Sequence, residues 1–580
     1  MTTRVEALQH VLATNPAFAL DHVEVRGVPW RVYRNAPASM RAVLESTAEF
    51  GDRPFLVYEG ERWSFAEHLR TVTGLAARWH GLGVGKGDRV AIAMRNYPEW
   101  VMAFWAAQAI GAVVVPLNAW WTADELAYGI RDATPSLVVA DGERAEVIAG
   151  LDGLGADVPA GRIVAVRARR ALPADAVAWA DELAAIEPDA ALPDVDIAPD
   201  DDCTIMYTSG TTGAPKGAVA SQRNHLTNLC NTELNGAVGA AMAGVDLPPD
   251  LKPADLPQTS MLQTFPFFHI GGLSGLYVGT AFGAKVSLMY KWDTAEAADI
   301  IQREQVTAAS MVPTLLRKLL DHAEAHDLQF ETLSGMGSGG APVPADLIRT
   351  IEHHFDRRVS PGNGYGLTET TSAIVVNSGT EYFEHPDSVG RCVPGADLRI
   401  VAPETGTDAG PGVVGELWFR GPNVVRGYWC KPDATAAAFT DGWFHTGDLG
   451  YVDEDGLVYV VDRLKDVIIR GGENVYCAEV ETVLFEHAAV ADVAVIGLPH
   501  RSLGEEVTAV VERHAGVTVS AADLQSHVAG RLAGFKVPSR VFFADEPLPR
   551  TATGKVLKRD LRDRYSAAPT APTVPTRGTT

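Results

Sequence analysis

Short apolar runs alternate with segments of helical period along the first quarter of the chain. FLVYEG, from Phe55, predicts a strand; beyond it Leu69, Val72, Leu75, Ala76 and Trp79 recur on one face of a helix spanning Phe65 to Trp79. RVAIAM (from Arg89), a helix after Pro98, a strand at Val113–Val115, the helix TADELAYGIRD (from Thr122) and the strand SLVVAD (from Ser136) continue the pattern. The apolar stretch Val101–Leu117 contains Gln108 and Pro116 and is short for a membrane span, so it reads as a buried helix, a stop at Gly111 and a strand. Such β/α alternation predicts a mainly parallel sheet covered by helices. It resumes over 261–320, where MLQTFPFF, AKVSLM and AASMV read as buried strands. Residues 232–260, rich in Ala, Gly and Pro without a clear period, read as a long surface loop with at most a short helix. From Gly390 to Val461 the texture is strand and turn (LRIVAPETG, GELWFRG, LVYVVD), as in a small β-rich subdomain. After DRLKD, the strands VADVAVIGLP, VTAVVERH and RVFFADE around the helix AADLQSHVAGRLAG predict a compact α+β domain of about 100 residues. The tail SAAPTAPTVPTRGTT has a composition expected to be disordered.

A chain of 580 residues can bury a large core and is expected to hold more than one domain. Its net charge of −24 argues against a nucleic-acid surface or an anionic membrane as the main partner, while leaving room for a local basic pocket. The five cysteines, Cys203, Cys230, Cys392, Cys430 and Cys477, are scattered with no CxxC pair, so neither a disulfide framework nor a zinc site is expected. The N-terminus carries Glu6 and no continuous apolar run, unlike a signal peptide. A soluble protein of the reducing cytoplasm is the expectation.

The most informative segment is YTSGTTGAPKG, Tyr207–Gly217, directly after the apolar run CTIMY. Small residues let backbone N–H groups approach an anion, hydroxyls add donors and Lys216 adds a compact positive charge, the combination a triphosphate needs. It is not a Walker A loop, because Gly217 rather than Ser or Thr follows the lysine. A flexible turn would be the simpler reading of a shorter motif. NGYGLTET, Asn363–Thr370, adds an aromatic able to stack on a purine (Tyr365), a hydroxyl for a phosphate (Thr368) and a carboxylate for Mg²⁺ (Glu369). GSGGAP, Gly337–Pro342, is a second small-residue turn and by itself weak evidence.

From about residue 50 to 562 these motifs, in this order, resemble the adenylate-forming superfamily of acyl-CoA synthetases, firefly-luciferase-like enzymes and peptide-synthetase adenylation domains. The resemblance implies an α/β large N-terminal domain (1–461, two β/α subdomains plus a smaller β-rich subdomain). It further implies a hinge at 462–466, a small mobile α+β C-terminal domain (467–565) and a tail at 566–580. By matching position, Thr208, Ser209, Gly210, Thr211, Thr212 and Lys216 hold the β- and γ-phosphates. Ser338, Gly339, Gly340, Ala341 and Pro342 line adenine and acyl group, and Asn363, Gly364, Tyr365, Gly366 and Thr368 surround the nucleotide, with Glu369 on the metal. Asp448 in WFHTGDLG grips the ribose, assisted by Val460 and Arg463. His269, Gly271 and Gly272 in FPFFHIGG form the acyl pocket; the histidine is read as pocket-forming, not as an acid or base.

The implied chemistry explains why no Ser-His-Asp signature is needed. The substrate carboxylate attacks the α-phosphate of ATP, and catalysis is positioning and charge neutralisation. Lys555 in LPRTATGKVLKRDLR matches the family's catalytic lysine, whereas Lys558 and Arg559 read as solvated charges. Lys465 falls at the hinge about which the small domain rotates after adenylation, presenting Gly471, Gly472 and Glu473 (RGGEN) to the pantetheine of CoA, with Lys536 (GFKVP) near a CoA phosphate. Cys477 stands where the family usually has proline. The segment Gly271–Ala284 offers no charged side chain to pair with a second charge, favouring a hydrophobic monocarboxylic acid: fatty, aromatic or alicyclic. ATP, Mg²⁺ and CoA are the implied cofactors. A carrier protein is the alternative acceptor, release at the adenylate a further alternative, and a homodimer is compatible with the resemblance.

Overall fold

The computed structural model describes residues 3–151, 158, 162–172, 176–208, 215–551 and 554–566. The expected tail beyond Ser566 and the loop residues Ser209, Gly210, Thr211 and Thr212 lie outside them. The chain divides into two compact units: Met1–Leu398 with Phe419–His445, and Arg399–Trp418 with Thr446–Thr580. Residues 446–461, read from the sequence with the large domain, thus belong to the second unit here, where strand Trp443–Val452 pairs through its later residues with Val458–Arg463.

The first unit carries two large sheets. One runs 216–221, 202–208, 113–116, 89–93, 137–141, 163–166, 176–178, every neighbouring pair parallel except the first two strands. The other has nine strands, six of them consecutively parallel (360–367, 335–339, 308–311, 260–263, 285–288, 54–58) with antiparallel edges. The β/α alternation of the sequence is the cause, since each parallel crossover needs a covering helix. Helix Pro98–Ala109 is buried on every residue but Glu99, and its Trp100, Phe104 and Trp105 share one core with Val90 and Ile92 of the first sheet and Phe55 and Val286 of the second. An all-round apolar helix fits only such a sandwiched place. Among the described residues no helix is long and apolar enough to cross a membrane.

Residues 232–242 are not loop. A single helix, Gln222–Met242, starts at a capping box between Ser221 and Asn224 and runs through them. Its Cys230, Leu234, Ala237 and Val238 are covered by Ala7 and Val11 of the N-terminal helix Arg4–Thr14. Tertiary cover thus sustains a segment of weak local signal. MLQTFPFF keeps strand geometry only over Ser260–Gln263.

In the second unit a five-stranded sheet (473–475, 468–470, 504–513, 490–500, with 540–543 beside 504–513) packs helices Cys477–Phe485, Ala521–Ala529 and Lys558–Ser566. Lys558 is not a solvated charge: it is largely buried and ion-paired with Glu481 at 2.8 Å. Burial works against its proton, but Glu481, with Cys477 and Asp462 nearby, keeps its pKa above the ordinary lysine value.

Candidate active site

Strands Asp202–Thr208 and Lys216–Ser221 pair antiparallel with Thr208 opposite Lys216, so the ends of the Thr/Ser/Gly loop are one strand spacing apart and Lys216 stands at its exit. The loop is braced from outside: Tyr128 Oη donates to the Pro215 carbonyl (3.0 Å), and Tyr207 Oη donates to Asp132 Oδ2 (2.8 Å).

Strand Ser360–Leu367 ends in a short turn, Thr368–Thr370, that carries Glu369 inward, only 7% exposed. Gly366 is required where it is, because a Cβ there would lie 1.9 Å from the Ser372 carbonyl oxygen. Segment 425–429 joins this turn to the loop strand. Val425 N–H donates to the Glu369 carbonyl (2.9 Å), Trp429 N–H donates to the Gly217 carbonyl (2.8 Å), and Tyr428 Oη donates to Glu369 Oε1 (2.8 Å). Lys216 Nζ sits 5.2 Å from the centre of the Tyr428 ring. Neither Tyr428 nor Asp132 was singled out in the sequence; Tyr428 is 59 residues from its carboxylate, and no local motif marks it.

Ser338 and Asn363 lie opposite each other on neighbouring parallel strands, and the buried Ser338 Oγ has no partner among the described residues. A ligand hydroxyl, amine or carbonyl would satisfy it. Tyr365 is half-buried, its ring 6.1 Å from that of Phe419. His269 caps helix Ile270–Ala281, its Nδ1 accepting from Gly271 N–H (3.1 Å), and burial pushes its imidazole down to about 4, so it is neutral at pH 7. Gly272 is buried against the Pro266 carbonyl; Gly271 and Ser274 are half-exposed.

The second unit holds a cluster of its own. Asp448, buried, lies opposite Arg463 on paired strands and accepts an ion pair from Arg463 Nε at 3.0 Å; Val460 pairs with Gly450 on the same strands. Lys555 follows a turn in which Gly554 N–H donates to the Thr551 carbonyl (2.9 Å) and Lys555 N–H to Thr551 Oγ1 (3.1 Å). Burial first, then the charge of Arg463 with a contribution from Lys465, lowers its amine to about 7 against the partial support of Asp448. Gly471 and Gly472, both at positive φ, form the two-residue connection between strands 468–470 and 473–475, a hairpin turn that demands glycine, and Glu473 beside them is exposed. Lys536 is engaged by Glu479 at 2.7 Å.

Cys477 opens helix Cys477–Phe485, its N–H donating to Asp462 Oδ2 and its thiol to the Asp466 carbonyl (3.0 Å). A proline there would lack the first donor.

The donor set near Lys216 fits magnesium: a single buried carboxylate, Glu369, with the hydroxyl-bearing Thr368 beside it, suits a cation that takes hard oxygen ligands and completes its shell with phosphates and water. Among the described residues no group of three or more His, Cys, Asp and Glu could hold a metal ion.

The chain matches the model of AMP-binding enzymes over residues 43–429 and that of the AMP-binding enzyme C-terminal domain over 479–555. It is 36% identical over 509 residues to a feruloyl-CoA synthase from Amycolatopsis, covering 87% of this chain and 94% of that one. It is 32% identical over 554 residues to a long-chain-fatty-acid–CoA ligase from Bacillus subtilis, covering 90% and 94%. Among solved structures, the o-succinylbenzoate coenzyme A synthetase from Bacillus subtilis in complex with ATP and magnesium superimposes with a TM-score of 0.74 at 30% identity, covering 90% of this chain and 99% of that one.

Proposed function

The chain belongs to the AMP-binding enzyme family, and on that premise we propose how its residues divide the work of an AMP-forming acid–thiol ligase. The enzyme activates a carboxylic acid with ATP as acyl-AMP, releases pyrophosphate and transfers the acyl group to CoA. Magnesium, when bound, neutralises phosphate charge. The observation that carries the residue assignment is the joining of Lys216 and Glu369 through Tyr428 in the first unit, one side chain meeting both charges a magnesium–triphosphate requires.

In this reading Lys216 and the loop residues Thr208, Ser209, Gly210, Thr211 and Thr212 hold the terminal phosphates. Thr368 binds the α-phosphate, Tyr365 stacks on adenine, and Asp448 with Arg463 takes the ribose. Lys555 stabilises the charge as the carboxylate attacks phosphorus, and Lys465 is the hinge. Glu473 and Lys536 turn to CoA, Lys536 exchanging Glu479 for a phosphate. The acid is a hydrophobic monocarboxylate, which the helix Ile270–Ala281 and its approach support: from Phe265 to Ala284 the ionisable side chains are His269, neutral, and Tyr277, whose pKa burial pushes well up. CoA rather than a carrier protein is the acceptor, and the cytoplasm, where its five free cysteines stay reduced, is the setting.

Pyrophosphate release screened over a library of organic acids, with CoA or holo carrier protein as acceptor, tests this. Turnover with apolar monocarboxylates and CoA is expected; preference for dicarboxylates, or for the carrier protein, would refute the corresponding part.

A further inference from the structure

Tyr428 lies outside every motif that marks the nucleotide site, yet it touches both of that site's charged groups. We propose that Tyr428 is a positioning residue of the phosphate and metal centre, its hydroxyl orienting the Glu369 carboxylate and its ring seating the Lys216 ammonium before ATP binds. The proposal rests on the assignment of Lys216 and Glu369 to phosphate and magnesium.

The geometry is held on all sides. Tyr428 is 9% exposed, and its own N–H donates to Thr435 Oγ1 (2.9 Å). The flanking backbone is stitched to the loop strand: Val219 N–H donates to the Gly427 carbonyl (3.0 Å) and Trp429 N–H to that of Gly217 (2.8 Å). Past it, Trp429 Nε1 donates to the Asp132 carbonyl (3.1 Å), and Lys431 Nζ pairs with the Asp132 carboxylate at 2.7 Å. That carboxylate also accepts from Tyr207 at the entry to the phosphate loop. The brace therefore spans both ends of the loop and the turn carrying Glu369.

The chemistry asks for such a brace. A long ammonium side chain and a carboxylate free to swing would close on each other as a direct ion pair, leaving less charge for phosphate and metal. A phenol gives the carboxylate one hydrogen bond on Oε1, and a π face gives the ammonium a weak, non-neutralising seat.

Tyr428→Phe and Tyr428→Leu in the full-length protein separate the two halves of the proposal. Calorimetric titration with ATP, without Mg²⁺ and across a Mg²⁺ series, is the readout, with thermal unfolding alongside. For Tyr428→Phe, Mg²⁺-free ATP affinity stays within about twofold, while the Mg²⁺ concentration for half-maximal tightening rises about tenfold, the scale of one hydrogen bond to a charged group. Tyr428→Leu also weakens Mg²⁺-free binding, by about threefold to tenfold, as the cation loses its aromatic seat. An unchanged Mg²⁺ requirement in Tyr428→Phe overturns the proposal. So does equal loss in both variants with and without Mg²⁺, tracking a drop in unfolding temperature, which marks a packing residue only. A parent protein that binds no ATP removes the underlying assignment and the proposal together.

Discussion

The amine of Lys555 is held near a pKa of about 7 by burial and by the cations of Arg463 and Lys465, which has two opposed consequences. On the proposed assignment its charged form serves the reaction, and that form is lost as pH rises through about 7. The kcat/KM for ATP in adenylate formation is therefore expected to carry a descending limb near pH 7, since this parameter reports the free enzyme. Thioester formation from supplied acyl-AMP should lack the limb, and an adenylation profile without it would dismiss the assignment. For stability the sign runs the other way. A folded pKa below the ordinary 10.5 means the unfolded chain binds more protons between about 7 and 10.5, so stability rises with pH in that window. Lys555→Met should cost adenylation about a hundredfold or more yet raise the unfolding temperature at pH 7. Lys216, Glu369 and Lys555 stand out as candidates in the sequence because each sits in a run of small residues whose composition is costly unless used. Tyr428 and Asp132 do not, because their partners lie 59 and 75 residues away and only the fold brings them together.

Among elements, helix Cys477–Phe485 shows how one backbone group constrains a sequence. Proline is favourable at a first helical position, but the Cys477 N–H serves the buried Asp462 carboxylate, which Ala478 N–H reaches only at 3.4 Å. Cys477→Pro removes that donor and the thiol's bond to the Asp466 carbonyl together. A loss of about 1–3 kcal/mol in denaturant unfolding is expected, and an unchanged midpoint would show that Asp462 finds another partner. The sheet strands and the long apolar helices were plain from periodicity. Helix Gln222–Met242 was misjudged in its second half because Ala and Gly carry little amphipathic signal, and its partner helix begins more than two hundred residues earlier. Lys558 likewise looked like surface because an isolated lysine does not disclose a half-buried partner such as Glu481.

At the scale of the molecule, the order of motifs carried the family, whereas the division into compact units follows strand pairing that composition does not reveal. Rotation of the C-terminal part about Lys465 is the element of the proposed function most open to a direct test. Lys465→Pro fixes φ near −65° at the pivot, and thioester formation is expected to fall about tenfold further than adenylation. Equal effects on both half-reactions would remove the hinge. The family match begins only at residue 43, after the helix Arg4–Thr14 and its cover of Cys230, Leu234, Ala237 and Val238. Trimming the protein to that match would open an oily strip along helix Gln222–Met242, whose first turn follows directly from the strand bearing Lys216. The leading helix thus acts as a sealing strip: its removal is expected to invite clumping and, through helix Gln222–Met242, to weaken nucleotide binding.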